Sequence, residues 1–163
     1  MRSLAHVLGQ TLGRTFQASC DAALGDARCG VDLTAAAFKG SGTVVSLSGD
    51  RGFAVSGLSG FAEGCFALGT LHWLSGANTG HRAEVLSHVS VGADVIITLL
   101  ETPVRSIKVG NTFDIFAGCD KRFETCQAKF ANAANFRGFP HIPGQDTIIR
   151  YAAKGDANAG TVL

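Results

Sequence analysis

Residues 42–58 read GTVVSLSGDRGFAVSGL, and their pattern decides the fold class. Two short runs rich in Val, Leu and Phe, at 43–47 and 53–58, flank Gly49-Asp50-Arg51-Gly52. Branched and aromatic side chains suit a pleated, half-buried surface, and a Gly/Asp cluster supplies the backbone freedom of a tight hairpin. The pattern recurs downstream. Apolar runs at 65–74, 83–89, 94–100 and 112–116 are separated by turn signals at 76–80, 92–93 and 110–111. Runs of this length with closely spaced turns predict a mainly β domain, with a meander over 42–117 closing as a small β-barrel or sandwich. Val95-Ile96-Ile97 is apolar on both faces, so cover from the termini or from another subunit is expected.

Composition narrows the class. Hydrophobic residues make up 46% of the 163 and charged residues 17%, which excludes a disordered chain. The length predicts one domain over 1–163. No apolar run reaches the roughly 18 residues of a membrane span. Lys and Arg total 14 against 13 Asp and Glu, so no broad, sequence-specific nucleic-acid surface is expected. The apolar stretch at 4–8 is short and broken by His6, which does not read as a signal peptide. A reducing cytoplasm is therefore the expected place of synthesis, and five cysteines there point to metal, catalysis or packing before disulfides.

The segments flanking the β region have separate readings. Within the lead-in, 1–41, Leu4, Val7, Leu8 and Leu12 fall at helical spacing behind Ser3, and Gly9 and Gly13 keep the expected N-terminal helix short. Residues 18–30 read as a loop or single turn. In 118–163, Asp120 is the expected cap of a helix of about three turns. Phe123, Cys126 and Phe130 share one face of it, and Asn132 and Asn135 end it. The loop 135–146 carries Phe136, Phe139 and Ile142, so it must pack over something or meet a partner. The stretch 154–160 is small and polar.

Four cysteines form two clips, Cys20-x8-Cys29 and Cys119-x6-Cys126, one on each side of the β region. A closed barrel returns the chain near its start, so the clips are able to meet. Four thiolates there suit Zn²⁺ or an iron–sulfur cluster. Neither spacing is that of a common zinc finger or ferredoxin, and simple packing of Cys126 on an apolar helix face accounts for the pattern equally well. Cys65 falls inside a strand pattern, where it reads as a small buried hydrophobe; the sharper alternative is a nucleophile paired with His72, His81 or His88. The five His show no metal-type spacing, Gly76–Gly80 reads as a hairpin turn, and Trp73 reads as core.

Three stretches resemble a known family: CDAALGDARCGVDL at 20–33, WLSGANTGHRAEVLSH at 73–88 and GCDKRFETCQAKFANAANFRGFPHIPG at 118–144. They are similar to the C-terminal half of the phage tail hub, or baseplate, family that includes the hub of alphaproteobacterial gene transfer agents. A more distant similarity is to tail-tip protein L of phage lambda. The resemblance implies a structural, non-enzymatic virion protein at the tail tip, assembled in the host cytoplasm, on the conduit for DNA ejection. It implies a threefold assembly contacting distal tail or tail-tube proteins and a tip or fibre protein. It further implies a C-terminal helix and loop held by a four-cysteine cluster. Cys20, Cys29, Cys119 and Cys126 would be its ligands, holding iron and sulfide as [4Fe-4S], with zinc as the alternative and Cys65 outside the site. Family members carry a substantial region before the first clip, which leads to the expectation of a split hub with a separate N-terminal chain, or of a short version. Two further alternatives are an electron-transfer protein and a cysteine peptidase acting on cell wall through Cys65.

Overall fold

The computed structural model describes residues 16–92 and 94–142. The helix expected within 4–12 and the polar stretch 154–160 lie outside the described residues. Six strands follow in order: β1 (Lys39–Ser48), β2 (Gly52–Ser56), β3 (Thr70–Trp73), β4 (Arg82–Val91), β5 (Asp94–Leu99) and β6 (Thr112–Phe116). They form one antiparallel sheet in the order β1-β2-β5-β4-β3-β6, and β6 pairs back onto β1, so the sheet closes into a barrel. The pairs Thr43 with Thr112 and Lys39 with Phe116 mark the two ends of that closing seam.

The expected meander needs correction. β3, β4 and β5 are consecutive neighbours, but β2 pairs with β5 and β6 pairs with β3. The reason lies in the link 57–69, which is too long and too apolar for a hairpin turn. Its Leu58 and Phe66 are fully buried. They fill the barrel end beside Gly40, where an added Cβ would lie 2.7 Å from Leu58 and 3.1 Å from Phe66. The link therefore caps the barrel while carrying the chain across to β3. Cys65 belongs to this link and not to a strand, since β3 starts only at Thr70.

Alternation along the strands builds the core. Phe53 and Val55, Leu71 and Trp73, Val95, Ile97 and Leu99, and Phe113 and Ile115 all point inward. Phe53, Trp73 and Phe113 meet as a triangle of rings with centroids 5.7–5.9 Å apart. Burying each such side chain contributes roughly 1.5–3 kcal/mol. Outward positions are less covered: Val45, Leu86, Val89 and Val91 stay exposed, while Ile96 is half-buried.

A second, smaller core lies outside the barrel. Ala22, Cys29, Val31, Ala117 and Phe130 are buried in it, with Cys20, Phe38, Cys65 and Cys119 packed around them. It joins the lead-in to the helix α1 (Phe123–Phe130). This helix is two turns long and its N-cap is Arg122, so the expected start and length are corrected. Asp120 acts one step earlier, accepting from Arg122 N at 3.0 Å and Thr125 Oγ1 at 2.9 Å. Ala131, at φ 49°, ends the helix before either asparagine.

Gly118 sets how closely this second core approaches the barrel. An added Cβ would fall 2.0 Å from the Ala67 carbonyl oxygen and 2.2 Å from the Leu68 carbonyl carbon. Backbone atoms cannot give way as a side chain does. Gly118→Ala is expected to destabilise the fold by about 3 kcal/mol or more, read by urea denaturation; an unchanged midpoint would show that the approach is not tight.

His88 is the polar exception in the barrel. It is 2% exposed, stacks edge-on against Phe66 at 5.1 Å, and neither ring nitrogen has a hydrogen-bond partner. Burial holds its pKa below the usual value, with the nearby Glu63 charge opposing and Lys129 adding to the effect. The folded state therefore keeps it neutral while the unfolded chain takes up a proton below about pH 6.5. Stability should fall as pH drops from 7 to 5.5, by up to about 1.4 kcal/mol per pH unit from this group. Denaturation of the His88→Leu variant should show a flatter pH dependence; the same slope in both proteins would assign the loss elsewhere.

Candidate functional site

The first clip is shaped by a single carboxylate. Asp26 accepts hydrogen bonds from the backbone N–H groups of Cys29 at 2.6 Å, Arg28 at 2.9 Å and Ala23 at 3.0 Å. The Cys29 N–H, foremost of these, holds its carboxyl below the usual range. Arg28 folds back onto Asp21 at 3.1 Å and Asp26 at 3.6 Å. Gly25 and Gly30, both at positive φ, turn the chain at either side. The loop read from the sequence at 18–30 is thus a self-bonded turn that presents two thiols.

The second clip leaves β6 and enters α1. Cys119 follows Gly118, and Cys126 lies on the buried face of the helix with Phe130. Phe123, the third member of the expected face, is half-buried and packs against Phe136, with ring centroids 5.2 Å apart. Three non-glycine residues among those described hold positive φ: Leu68, Lys121 and Ala131. All three lie in the segments that carry Cys65 or the second clip. Such conformations cost about 1–3 kcal/mol each and persist where surrounding contacts enforce them.

Two brackets join the clips. At one, Cys20 N donates to the Lys121 carbonyl at 2.9 Å, and Lys121 N is directed to Cys119 Sγ at 3.4 Å. Lys121 Nζ also donates to the Ala22 carbonyl. At the other, Asn132 Nδ2 donates to the Cys29 carbonyl at 2.6 Å, and the Cys126 thiol donates to the Asn132 carbonyl at 3.4 Å. The four clip cysteines thereby line one small cavity of about 10 Å³, together with Lys121, Arg122, Asn132 and Phe136. Burial, and then the nearness of Cys119, Cys20 and Cys29, push the Cys126 thiol pKa up.

The donor set at this cavity is uniform. Four thiols line it, and among the described residues no carboxylate or imidazole does. Soft ligands of this kind select zinc or iron–sulfur clusters. Among the described residues, however, no group of three or more His, Cys, Asp or Glu side chains is arranged to hold a metal ion.

The apolar loop covers this region. Arg137 N lies 3.4 Å from Cys20 Sγ, Phe139 N donates to the Gln17 carbonyl at 2.9 Å, and the Phe139 ring stacks on Phe16 at 4.8 Å. Phe136 reaches the cavity wall itself. Residues 143–146 of that loop lie outside the described residues.

Cys65 sits apart, between the two cores, and lines a groove of about 930 Å³ with Phe38, Phe61, Glu63 and Lys129. Burial raises its pKa, so the thiol stays protonated. The considered pairing with histidine is not built: His88 has no hydrogen-bond partner on either nitrogen, His72 stacks on Phe116 at 4.8 Å, and His81 lines a separate cavity with Trp73 and Asn78. Lys129 instead donates to the Cys65 carbonyl at 2.5 Å and the Gly118 carbonyl at 2.7 Å, tying α1 to the barrel cap. Sequence reading missed Lys121, Lys129 and the bracket role of Asn132. None carries a local signal, because each acts on main-chain or sulfur atoms far away in sequence.

Comparison with known proteins agrees with this architecture. Residues 64–146 match the family model described as phage conserved hypothetical protein BR0599. Residues 1–32 match the model described as baseplate hub protein, N-terminal attachment domain, so the lead-in with the first clip is itself similar to that domain. No curated protein matches the chain significantly. A chain in the solved virion of a native gene transfer agent particle is 34% identical, with a TM-score of 0.79 over 99% of this chain and 56% of that one. The chain thus spans a little over half the length of that relative. With the first family model matching half of its residues, the chain belongs to the phage BR0599 protein family.

Proposed function

We propose that this chain is an architectural part of the tail tip, a hub domain whose barrel is locked to its flanking segments by an iron–sulfur cluster on Cys20, Cys29, Cys119 and Cys126. The observation that carries the cluster reading is the meeting of two clips, about ninety residues apart in the chain, around one cavity whose ligating side chains are all thiols. Lys121 and Arg122 at the cavity wall offset the charge that four thiolates bring. When bound, the cluster supplies a covalent-strength link between the clips; it has no substrate. The chain's own residues do the rest. Asp26 shapes the first clip, Lys121 and Asn132 hold the clips together, and Phe136 with the loop behind it excludes water. The cavity is close to the size of one water, so the clips part slightly to accept the cluster. A crosslink closing a loop of this length restricts the unfolded chain by roughly 4–5 kcal/mol in the chain-entropy picture.

The tail-tip assignment draws on the virion relative. It is also supported by the exposed apolar side chains on β1 and β4, which suit burial against neighbouring subunits. The partners in this reading are further copies of the chain around a threefold axis, distal tail or tail-tube proteins and a tip or fibre protein, surrounding the conduit for DNA. The protein works as structure and not as an enzyme, and it reaches the virion after assembly in the host cytoplasm. Among the described residues no helix is long and apolar enough to cross a membrane.

Anaerobic purification followed by an absorption spectrum and iron and sulfide assays tests the cluster. Wild type and Cys65→Ala should carry equal iron and sulfide, whereas Cys29→Ala should lose both and unfold at lower denaturant. Zinc in stoichiometric amount with no iron would replace the cluster by a structural zinc site. Loss of the cluster from Cys65→Ala, with retention in Cys29→Ala, would show the ligand assignment to be wrong.

The architectural role has its own test in particles produced without the gene. Tails should fail at completion of the tip. Full-length tails that stall only at cell-wall digestion would favour the peptidase reading instead.

A further inference from the structure

The two brackets between the clips are built from different parts. At Cys20 and Cys119 themselves the bonds come from the main chain of Lys121, which any residue able to hold φ 65° supplies, while the Lys121 side chain reaches the Ala22 carbonyl. At Cys29 and Cys126 the bracket depends on one side chain. Asn132 Nδ2 donates to the Cys29 carbonyl at 2.6 Å and lies 3.8 Å from Cys29 Sγ. Asn132 Oδ1 accepts from Asn135 Nδ2 at 2.7 Å, which fixes the end of the amide that faces the sulfur. The Asn132 main chain is bound as well, its N–H donating to the Cys126 carbonyl at 3.1 Å. Cys29 and Cys126 are also the two buried members of the set, while Cys20 and Cys119 are half-buried.

From this asymmetry we infer that Asn132 is a positioning residue for the buried half of the cysteine site: its side-chain amide orients Cys29 and supplies an N–H to its sulfur. The inference rests on the cluster reading above. An N–H aimed at a ligating sulfur draws electron density out of the iron–sulfur bond, and burial strengthens the effect. Asn135 acts behind it by holding the amide in register. Lys121 meets Cys20 and Cys119 through its main chain, and its side chain goes to the Ala22 carbonyl.

The test is resonance Raman spectroscopy of the anaerobically purified full chain, with iron counted per chain in every sample. Asn132→Asp has the same shape and no N–H to give. Its iron–thiolate stretching bands should move to higher frequency at unchanged iron content, while Lys108→Ala, an exposed cation away from the cavity, keeps the wild-type bands. Bands that stay in place in loaded Asn132→Asp, or that move equally in Lys108→Ala, overturn the inference and leave the cluster reading standing. Should Asn132→Asp fail to load, Asn135→Ala decides: it leaves the amide but frees its orientation, and a shift in the same direction supports the inference while unshifted bands overturn it. Wild-type protein without iron overturns the cluster reading and this inference together, and is recognised because the unaltered chain is itself empty.

Discussion

Lys39 faces Phe116 across the seam where β6 pairs with β1, and this register governs everything outside the barrel. Because the seam is antiparallel, the chain entering β1 and the chain leaving β6 pass through the same end. Phe38 and Ala117 then meet directly, the Ala117 N–H donating to the Phe38 carbonyl at 2.8 Å. One residue further, Gly118 lies against the link 65–69 with no room for a side chain. The second clip begins there, and the first clip, a few residues before β1, has only to fold back along the same surface. A shift of the seam by two residues would carry the clips apart by about 7 Å and remove the site.

That arrangement leaves the second core dependent on polar contacts to an unusual degree. Its apolar members are few, and four of them are small cysteines. Lys129, an ammonium that burial pushes toward neutrality against the opposing charges of Cys65, Cys119 and Asp120, donates to two carbonyl groups at the barrel end. Lys121 and Ala131 hold left-handed conformations. Small cores of this kind are the ones that natural proteins crosslink, because burial alone leaves little margin over chain entropy. The cysteines thus stand where a staple has the greatest effect, between segments that share only a thin apolar contact.

The barrel poses the opposite case. Its interior is filled by rings and branched side chains, and His88, buried with no hydrogen-bond partner on its ring, lies against the cap residue Phe66. The link 57–69 joins the two regions: Leu58 and Phe66 belong to the barrel, while Cys65 touches both cores. The clips are thus joined to the barrel through packed side chains.

What the sequence determined by itself was local. Alternation of apolar residues and Gly/Asp turns marked β1, β2, β4, β5 and β6 within a few residues, since a strand's pattern and a hairpin's backbone freedom depend on near neighbours alone. The paired clips and the apolar loop behind them were legible for the same reason, as was the family resemblance they carry. Tertiary structure decided the remainder. It placed β2 beside β5, took Cys65 out of its strand and shortened the helix. It also turned Asn132 from a helix stop into a bridge to Cys29, over a hundred residues away. Each of these depends on contacts between segments far apart in the chain. Closing such contacts trades chain entropy against burial over the whole fold, and no short window of residues records the outcome.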